Sequence, residues 1–407
     1  TLLASSAASD VYKDITWLLQ EARSSNVIEG TVTTFEEILG ENAGVVVPAE
    51  RQDDVREVIN YKEATEAGLQ AINNGRDITL SLVKSLHALL LGGTRGEKKS
   101  PGQYRTIQVH IGRPGSTPDT ATYIPPDPVH VPALLENWEK FLRRADLNPL
   151  IQAAVMHAQF EMIHPFCDGN GRMGRLLITL LLAEKKLLTK PCFYMSAYLQ
   201  EHRTEYYTAL GNISQQGSWK EWIEFFLNAV ILRSKHNKDL LTAMNDLYEQ
   251  SKSTFPAITG SANAVQILDY MFSKPLFTQP DLQKHVGTAR TRQGFTNILH
   301  KLEQADIIAK AAPEKAEPPL YGDSQPSWSF FRKKIPVWLL AFIAAARSGT
   351  FQPDGQMGYG DMNHSSPPFR MASVVWFLAS SGQRVAHHVK TVSYTHLRAH
   401  ETRHDIV

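Results

Sequence analysis

The twelve residues HPFCDGNGRMGR, His164 to Arg175, gather a histidine, a carboxylate, a Gly-Asn-Gly turn and two arginines in one short stretch. A structural loop needs turn formers, which Gly169 and Asn170 supply, but it does not need His164, Asp168, Arg172 and Arg175 as well. The run PLIQAAVMHAQFEMI before it has helical periodicity, and Pro165 disfavours helical backbone at the preceding residue, so His164 falls at a helix C-terminus. A second helix starts at about Gly171, so the amides of Gly169, Asn170 and Gly171 face outward from its N-terminus as an anion nest. Arg172 and Arg175 add donors for several phosphate oxygens. Asp168 would repel a bare phosphate but suits a Mg²⁺ that bridges phosphates. His164, near neutral at physiological pH, can take a proton from a hydroxyl attacking phosphorus. The chemistry implied is phosphoryl or nucleotidyl transfer from a metal–nucleotide.

Taken singly, these residues have plainer readings: a core histidine, two surface arginines and a turn. Their conjunction argues against those readings. Phe166 reads as a core anchor for the loop, and Cys167 as a bystander, because no second histidine is evident nearby to activate it.

The stretch resembles the signature of Fic domains, His-x-Phe-x-Asp/Glu-Gly-Asn-Gly-Arg-x-x-Arg, with every defined position present. The likeness extends to GQYRTIQVHIG with TYIPPDPVHVPALLENWEKFL, to YLQEHRTEYYTAL and to GSWKEWIEFFL, about residues 15–235. It implies a mostly helical enzyme that transfers AMP from ATP to a Ser, Thr or Tyr hydroxyl of a protein and releases pyrophosphate. By the same likeness His164 is the general base, Asp168 the Mg²⁺ ligand, Gly169, Asn170 and Gly171 the phosphate cradle, and Arg172 and Arg175 the clamps. A lysine stands at the position of Gly171 in the kinase-like branch, so glycine favours AMP transfer. Upstream, SSNVIEG places Ser25, Glu29 and Gly30 in a pattern similar to the family's inhibitory motif. A helix-borne Glu29 would pair with Arg175 and occupy the donor meant for the γ-phosphate; the plainer reading is a surface glutamate in a capping turn. Tyr207 and Asn212 are candidates for adenine contacts and equally for packing.

The elements that position these groups are mainly α. Apolar residues recur every three or four positions from DVYKDITWLLQEA through WKEWIEFFLNAVILRSK. YRTIQVHIG instead alternates Ile107, Val109 and Ile111 and returns through TYIPP, which predicts a β-hairpin flap over 103–124. An edge strand there would hold an extended protein substrate by backbone pairing. From Ser251 the texture changes. ANAVQILDYMFSK, TQPDLQKHVG and TRQGFTNILHKLEQADII predict a small winged-helix domain, with Phe295, Ile298, Leu299 and Leu302 as one stripe and IIAKAAPEKAEPPLYG as the wing. Residues 281–310 carry a net +2, from Lys284, Arg290, Arg292, Lys301 and Lys310 against Asp281, Glu303 and Asp306, which leaves DNA and protein open as partners. The divisions expected are 1–45 with the inhibitory motif, 46–235 as the Fic core, 236–255 as a connector, 256–322 as the winged helix-turn-helix, and 323–407 unassigned.

Residues 323–407 lack period and caps, and VSYTHLRAHETRHD resembles a translated library adaptor, so they are expected to be read-through sequence. His396, His400 and His404, spaced like zinc ligands on one helix face, share that reading. The chain does not open on Met and is expected to be a fragment. A net charge of +1 gives no global pull toward nucleic acid. Cys167 and Cys192 form no paired motif, which fits a reducing compartment, the cytoplasm. The apolar run VWLLAFIAAA is short of the ~20 residues that span a bilayer. Two further functions stay open: a DNA-binding regulator using the Fic domain as a nucleotide-sensing or interaction module, and removal of AMP, with Glu29 positioning a water.

Overall fold

Two helices that bury nearly their whole circumference form the centre of the molecule. In a computed structural model describing residues 17–42, 47–112, 115–188, 193–274, 277–287, 292–305 and 307–308, these are α6 (Pro149–Ile163) and α7 (Asn170–Glu184). α6 is largely apolar on every side, as is α7 from Leu176 to Leu182, and such stretches belong inside a core. Around them, in chain order, lie α1 (17–28), α2 (Phe35–Asn42), α3 (Ala49–Asn73), α4 (Leu80–Leu91), α5 (Val131–Leu142), α8 (Ser196–Glu201), α9 (Arg203–Gln216) and α10 (Trp219–Thr259). The mainly helical expectation holds.

Large aromatics fasten this shell. Trp138 of α5 and Trp222 of α10, each 1% exposed or less, donate their indole N–H to the α6 carbonyls of Met156 and Ala154 at 3.0 and 2.9 Å. Each thus combines a large apolar contact with a satisfied polar edge. α6 starts cleanly, with Asn148 capping Leu150 N–H at 2.9 Å and proline at the first helical position. On the far side Gly68 lets α3 approach α7 and α4, for a Cβ there would lie 2.7 Å from Leu180 Cδ1 and 3.2 Å from Leu86 Cδ1.

The flap differs from expectation. Among the described residues its pairing is a single antiparallel bridge, Ile111 to Tyr123, and no strand forms. Pro125 and Pro126 lack the N–H groups a ladder needs. Their carbonyls are taken by side chains, Gln108 Nε2 at 2.8 Å and Arg105 Nη2 at 2.5 Å. The alternating face also has no core to cover, and Ile107 is 62% exposed.

The segment 236–255, expected as a connector, is helical and continuous with the rest of α10. Leu240, Met244, Leu247, Tyr248 and Phe255 keep one face of it packed, which sustains the helix past its polar residues. Three helices follow, α11 (Ala264–Ser273), α12 (Gln279–Val286) and α13 (Arg292–Gln304). Phe295, Ile298, Leu299 and Leu302 are all buried, as the stripe predicted. Tyr248 ties α10 to α11 through Asp269 at 2.6 Å, and Lys301 of α13 donates to Thr259 O at the end of α10, at 3.3 Å. Apart from residues 307 and 308, the expected wing lies outside the described residues, as do Cys192, Arg290, Lys310 and the 323–407 tail with its three histidines.

Substituting Gly68→Val should lower stability by about 1–3 kcal/mol through overpacking of the α3, α4 and α7 contact. A urea titration followed by circular dichroism measures it.

Candidate active site

The loop between α6 and α7 brings a helix C-terminus and a helix N-terminus together, and each residue in it has a structural reason to be where it is. His164 caps α6 in the left-handed conformation, φ 48° and ψ 61°, with its N–H on Phe160 O at 2.9 Å. Its Nδ1 lies 3.2 Å from Glu161 O. A carbonyl only accepts, so that nitrogen carries the proton and Nε2 is left as the basic one. Burial lowers the His164 pKa to about 4, against the Glu161 carbonyl and the Glu29 charge, which act in the other direction. The imidazole is neutral at physiological pH.

Asn170 closes the loop. Its Oδ1 accepts Phe166 N–H and its Nδ2 donates to Phe166 O, both at 2.9 Å, so its buried amide shapes the turn instead of facing a phosphate. Phe166 is the anchor expected of it, fully buried and stacked on His87 with centroids 3.6 Å apart. His87 accepts Gly102 N–H on Nδ1 at 2.8 Å and donates Nε2–H to Asp168 O at 2.9 Å. It is a neutral bracket joining α4 to the loop, with its pKa lowered to about 4 by burial. Gly169 has φ 77°, which favours glycine, and Leu91 and His87 crowd the space a side chain would take.

α7 begins at Asn170, one residue earlier than expected, with Met173 N–H to Gly169 O as its first bond at 2.9 Å. The amides of Asn170, Gly171 and Arg172 precede that bond and are the helix's orphan donors. The Gly169 amide is already used, donating to Asp168 Oδ1 at 2.6 Å. The nest is thus shifted by one residue from the expected Gly169 to Gly171 set.

Both arginines are buried and both are paired. Arg172 meets Glu57 at 3.5 Å and Asp168 at 3.3 Å. Glu57 also accepts from Thr31 at 2.8 Å and pairs with Arg95 at 3.0 Å. Arg175 donates Nε to Ser25 Oγ at 2.8 Å, and Nη2 to Ser25 O at 2.9 Å and Glu29 Oε1 at 2.5 Å. Glu29 is the residue that ends α1. Thr31 N–H to Asn26 O and Gly30 N–H to Val27 O form a Schellman cap, with Gly30 at φ 94°. The cap points the Glu29 carboxylate over Gly171, where a Cβ would collide with it. Burial alone would raise the Glu29 pKa, but the charge and hydrogen bond of Arg175, with the charge of Arg172, outweigh it and hold the group ionised. Glu161, on α6, is the opposite case: burial pushes it up to about 7, with Arg175 opposing and Glu29 adding to the rise.

Tyr207 is 42% exposed and close enough to Arg175 and Glu29 to couple electrostatically with both. Asn212 is not brought to the site by any side-chain hydrogen bond among the described residues; its carbonyl accepts the Gly217 and Ser218 amides that end α9. Cys167 is a free, partly exposed thiol. His87, Glu57 and Glu161 were not foreseen. The only signal for His87 was a histidine on the apolar face of LHALLL.

His87 and His157 stay neutral inside the fold, with pKa values lowered by burial to about 4 and about 3, but take up protons when unfolded. Stability should therefore fall as pH drops from about 6.5 toward 4, by up to ~3 kcal/mol for each. His87→Phe should remove its share of that pH dependence and cost about 1–3 kcal/mol for the two backbone groups left unpaired. Urea midpoints at pH 7.5 and pH 5 measure both effects.

Residues 77–182 match the Fic/DOC family and residues 15–70 match the Fic/DOC family N-terminal. The protein adenylyltransferase Fic of Drosophila melanogaster is 29% identical over 178 residues, 43% of this chain and 32% of that protein. The protein of the same name from Aedes aegypti is 28% identical over 158 residues, 38% of this chain and 28% of that protein. The chain thus spans about a third of the length of the curated relatives it matches. Among solved structures, a Fic family protein from Desulfovibrio desulfuricans G20 superposes with a TM-score of 0.49 at 23% identity, over 76% of this chain and 87% of that one. The stretch that matches the Fic/DOC family contains the entire loop from His164 to Arg175, and the stretch that matches that family's N-terminal contains Ser25, Glu29 and Gly30.

Proposed function

We propose that this chain is a self-inhibited protein adenylyltransferase, moving AMP from ATP to a Ser, Thr or Tyr hydroxyl of a protein, itself included. One observation carries the reading: a neutral imidazole at the end of α6 and the orphan amides at the start of α7 are joined by a loop of only six residues, 164–169. Phosphates on those amides put phosphorus within reach of the base. The acceptor hydroxyl oxygen forms a bond to the α-phosphorus as the bond from that phosphorus to pyrophosphate breaks. The hydroxyl proton passes to His164 Nε2, and pyrophosphate leaves with the bonding pair.

Asp168 fits a Mg²⁺. Its Oδ2 has no hydrogen bond among the described residues, its side chain is 42% exposed, and Mg²⁺ commonly takes one or two carboxylates alongside substrate phosphates. A bound Mg²⁺ would neutralise charge on the leaving pyrophosphate. This chain's own part is to hold the Asp168 carboxylate in place through Gly169 N–H and Arg172.

Self-inhibition rests on the pairing of the buried Arg175 with Glu29, whose side chain stays 34% exposed. A γ-phosphate that needs Arg175 must displace that carboxylate. The helices α11 to α13 would dock a protein or DNA partner. No helix among the described residues is long and apolar enough to cross a membrane; a cytoplasmic site of action remains part of this proposal.

With α-labelled ATP and Mg²⁺, Glu29→Gly should raise self-labelling by roughly 5–150-fold over wild type. Adding His164→Ala should cut that by about 10²-fold or more. An unchanged rate in Glu29→Gly would sink the inhibitory assignment, and transfer of γ-label would move the reading to a kinase.

A further inference from the structure

The last carbonyls of a helix have no partner within it. At the end of α6 the last two of these carbonyls, and the next two along the chain, are taken by the flap. Met162 O accepts from Tyr123 Oη at 2.9 Å. Ile163 O and His164 O accept from Arg105 Nη2 and Nε at 3.4 and 2.8 Å, and Pro165 O from the Arg105 backbone N–H at 2.9 Å. The same guanidinium donates to Pro126 O at 2.5 Å and Ile107 O at 3.4 Å, so it spans both arms of the flap. Arg105 is 3% exposed. One side chain thus fixes three pieces of backbone against one another: the outgoing arm, the returning arm and the residues that carry the base.

A planar fork of donors makes such an arrangement possible, whereas a lysine ammonium cannot reach the same carbonyls in one geometry. The positive charge also sits favourably at a helix C-terminus. None of these contacts involves residues 168–175, so Arg105 is separate from the phosphate nest. His164 keeps its own bonds to Phe160 O and Glu161 O when Arg105 is changed.

We infer that Arg105 is a positioning residue for the transfer proposed above: it sets the distance between an acceptor hydroxyl carried on the flap and Nε2 of His164, without acting on the nucleotide. The inference rests on the adenylyltransferase reading and adds how the flap is held in register with the base. In the transfer the acceptor oxygen bonds to the α-phosphorus, pyrophosphate departs, and the proton moves to His164. Arg105 takes no part in these exchanges. A displacement of about 1 Å in such a geometry costs on the order of 10²-fold in rate. Water, which reaches the phosphorus without the flap, is spared that loss.

The test uses the full chain carrying Glu29→Gly, with and without Arg105→Lys, and α-labelled ATP with Mg²⁺. Three quantities are read: AMP on protein, AMP released to water, and the dissociation constant for ATP. Arg105→Lys should lower protein labelling by roughly 10²-fold, leave ATP affinity within about twofold, and raise the ratio of water to protein as acceptor by about tenfold or more. Tyr123→Phe, which removes one hydroxyl and keeps the ring, should shift the ratio in the same direction by less. It supplies the answer if Arg105→Lys does not fold. An unchanged ratio overturns the inference, whether labelling persists or labelling, release to water and ATP affinity are all lost together. If Glu29→Gly alone yields AMP neither on protein nor in water, the adenylyltransferase reading itself fails, and this inference with it.

Discussion

The site is organised around a guanidinium that has lost its water. Arg175 has 1% of its side chain exposed, and a buried charge without partners costs several kcal/mol. Its partners come from α1: the hydroxyl and carbonyl of Ser25 and the carboxylate of Glu29. Arg172, buried beside it, is balanced by Glu57 of α3 and Asp168 of the loop. The N-terminal segment is thereby an electrostatic component of the site and not a cover laid upon it. Glu29 is the carboxylate in contact with Arg175, while half-buried Glu161 has its pKa pushed up to about 7 by desolvation.

Two helix ends supply the remaining chemistry, and they are finished in opposite ways. The C-terminus of α6 is closed by Arg105, Tyr123 and the left-handed His164, so its carbonyls are fully engaged. The N-terminus of α7 keeps its first amides unbonded within the helix, under a carboxylate that stands over Gly171. An end with its carbonyls satisfied holds a base rigidly, while an end with amides to spare attracts an anion. In the proposed reaction the first positions the proton acceptor and the second the phosphates.

Much of this is legible in the sequence because the loop is local. Helix ends, proline at 165 and glycines at 169 and 171 fix where the base and the nest lie to within a residue. The pairing of Glu29 with Arg175 follows from charge and from the family likeness, and it stands at 2.5 Å. What the sequence hides depends on long-range packing. His87 reaches Asp168 across 81 residues, and nothing in LHALLL distinguishes a bracketing histidine from an ordinary core one. Period-two alternation at Ile107, Val109 and Ile111 suggested strands, but that pattern does not reveal that the face lacks a core to cover. Asn170 read as part of the phosphate nest through its backbone amide and the family likeness, which says nothing of its side chain. That side chain's bonds to Phe166 close the turn.

The central claim is that Glu29 and the γ-phosphate compete for Arg175. Crystal structures of wild type and Glu29→Gly with Mg²⁺ and a non-hydrolysable ATP analogue test it directly. The account predicts a γ-phosphate oxygen about 2.7–3.2 Å from the Arg175 guanidinium in Glu29→Gly, and away from it in wild type, where Glu29 keeps the pair. A wild-type structure in which Glu29 and the γ-phosphate both bond to Arg175, or a variant whose γ-phosphate avoids it, would contradict the account.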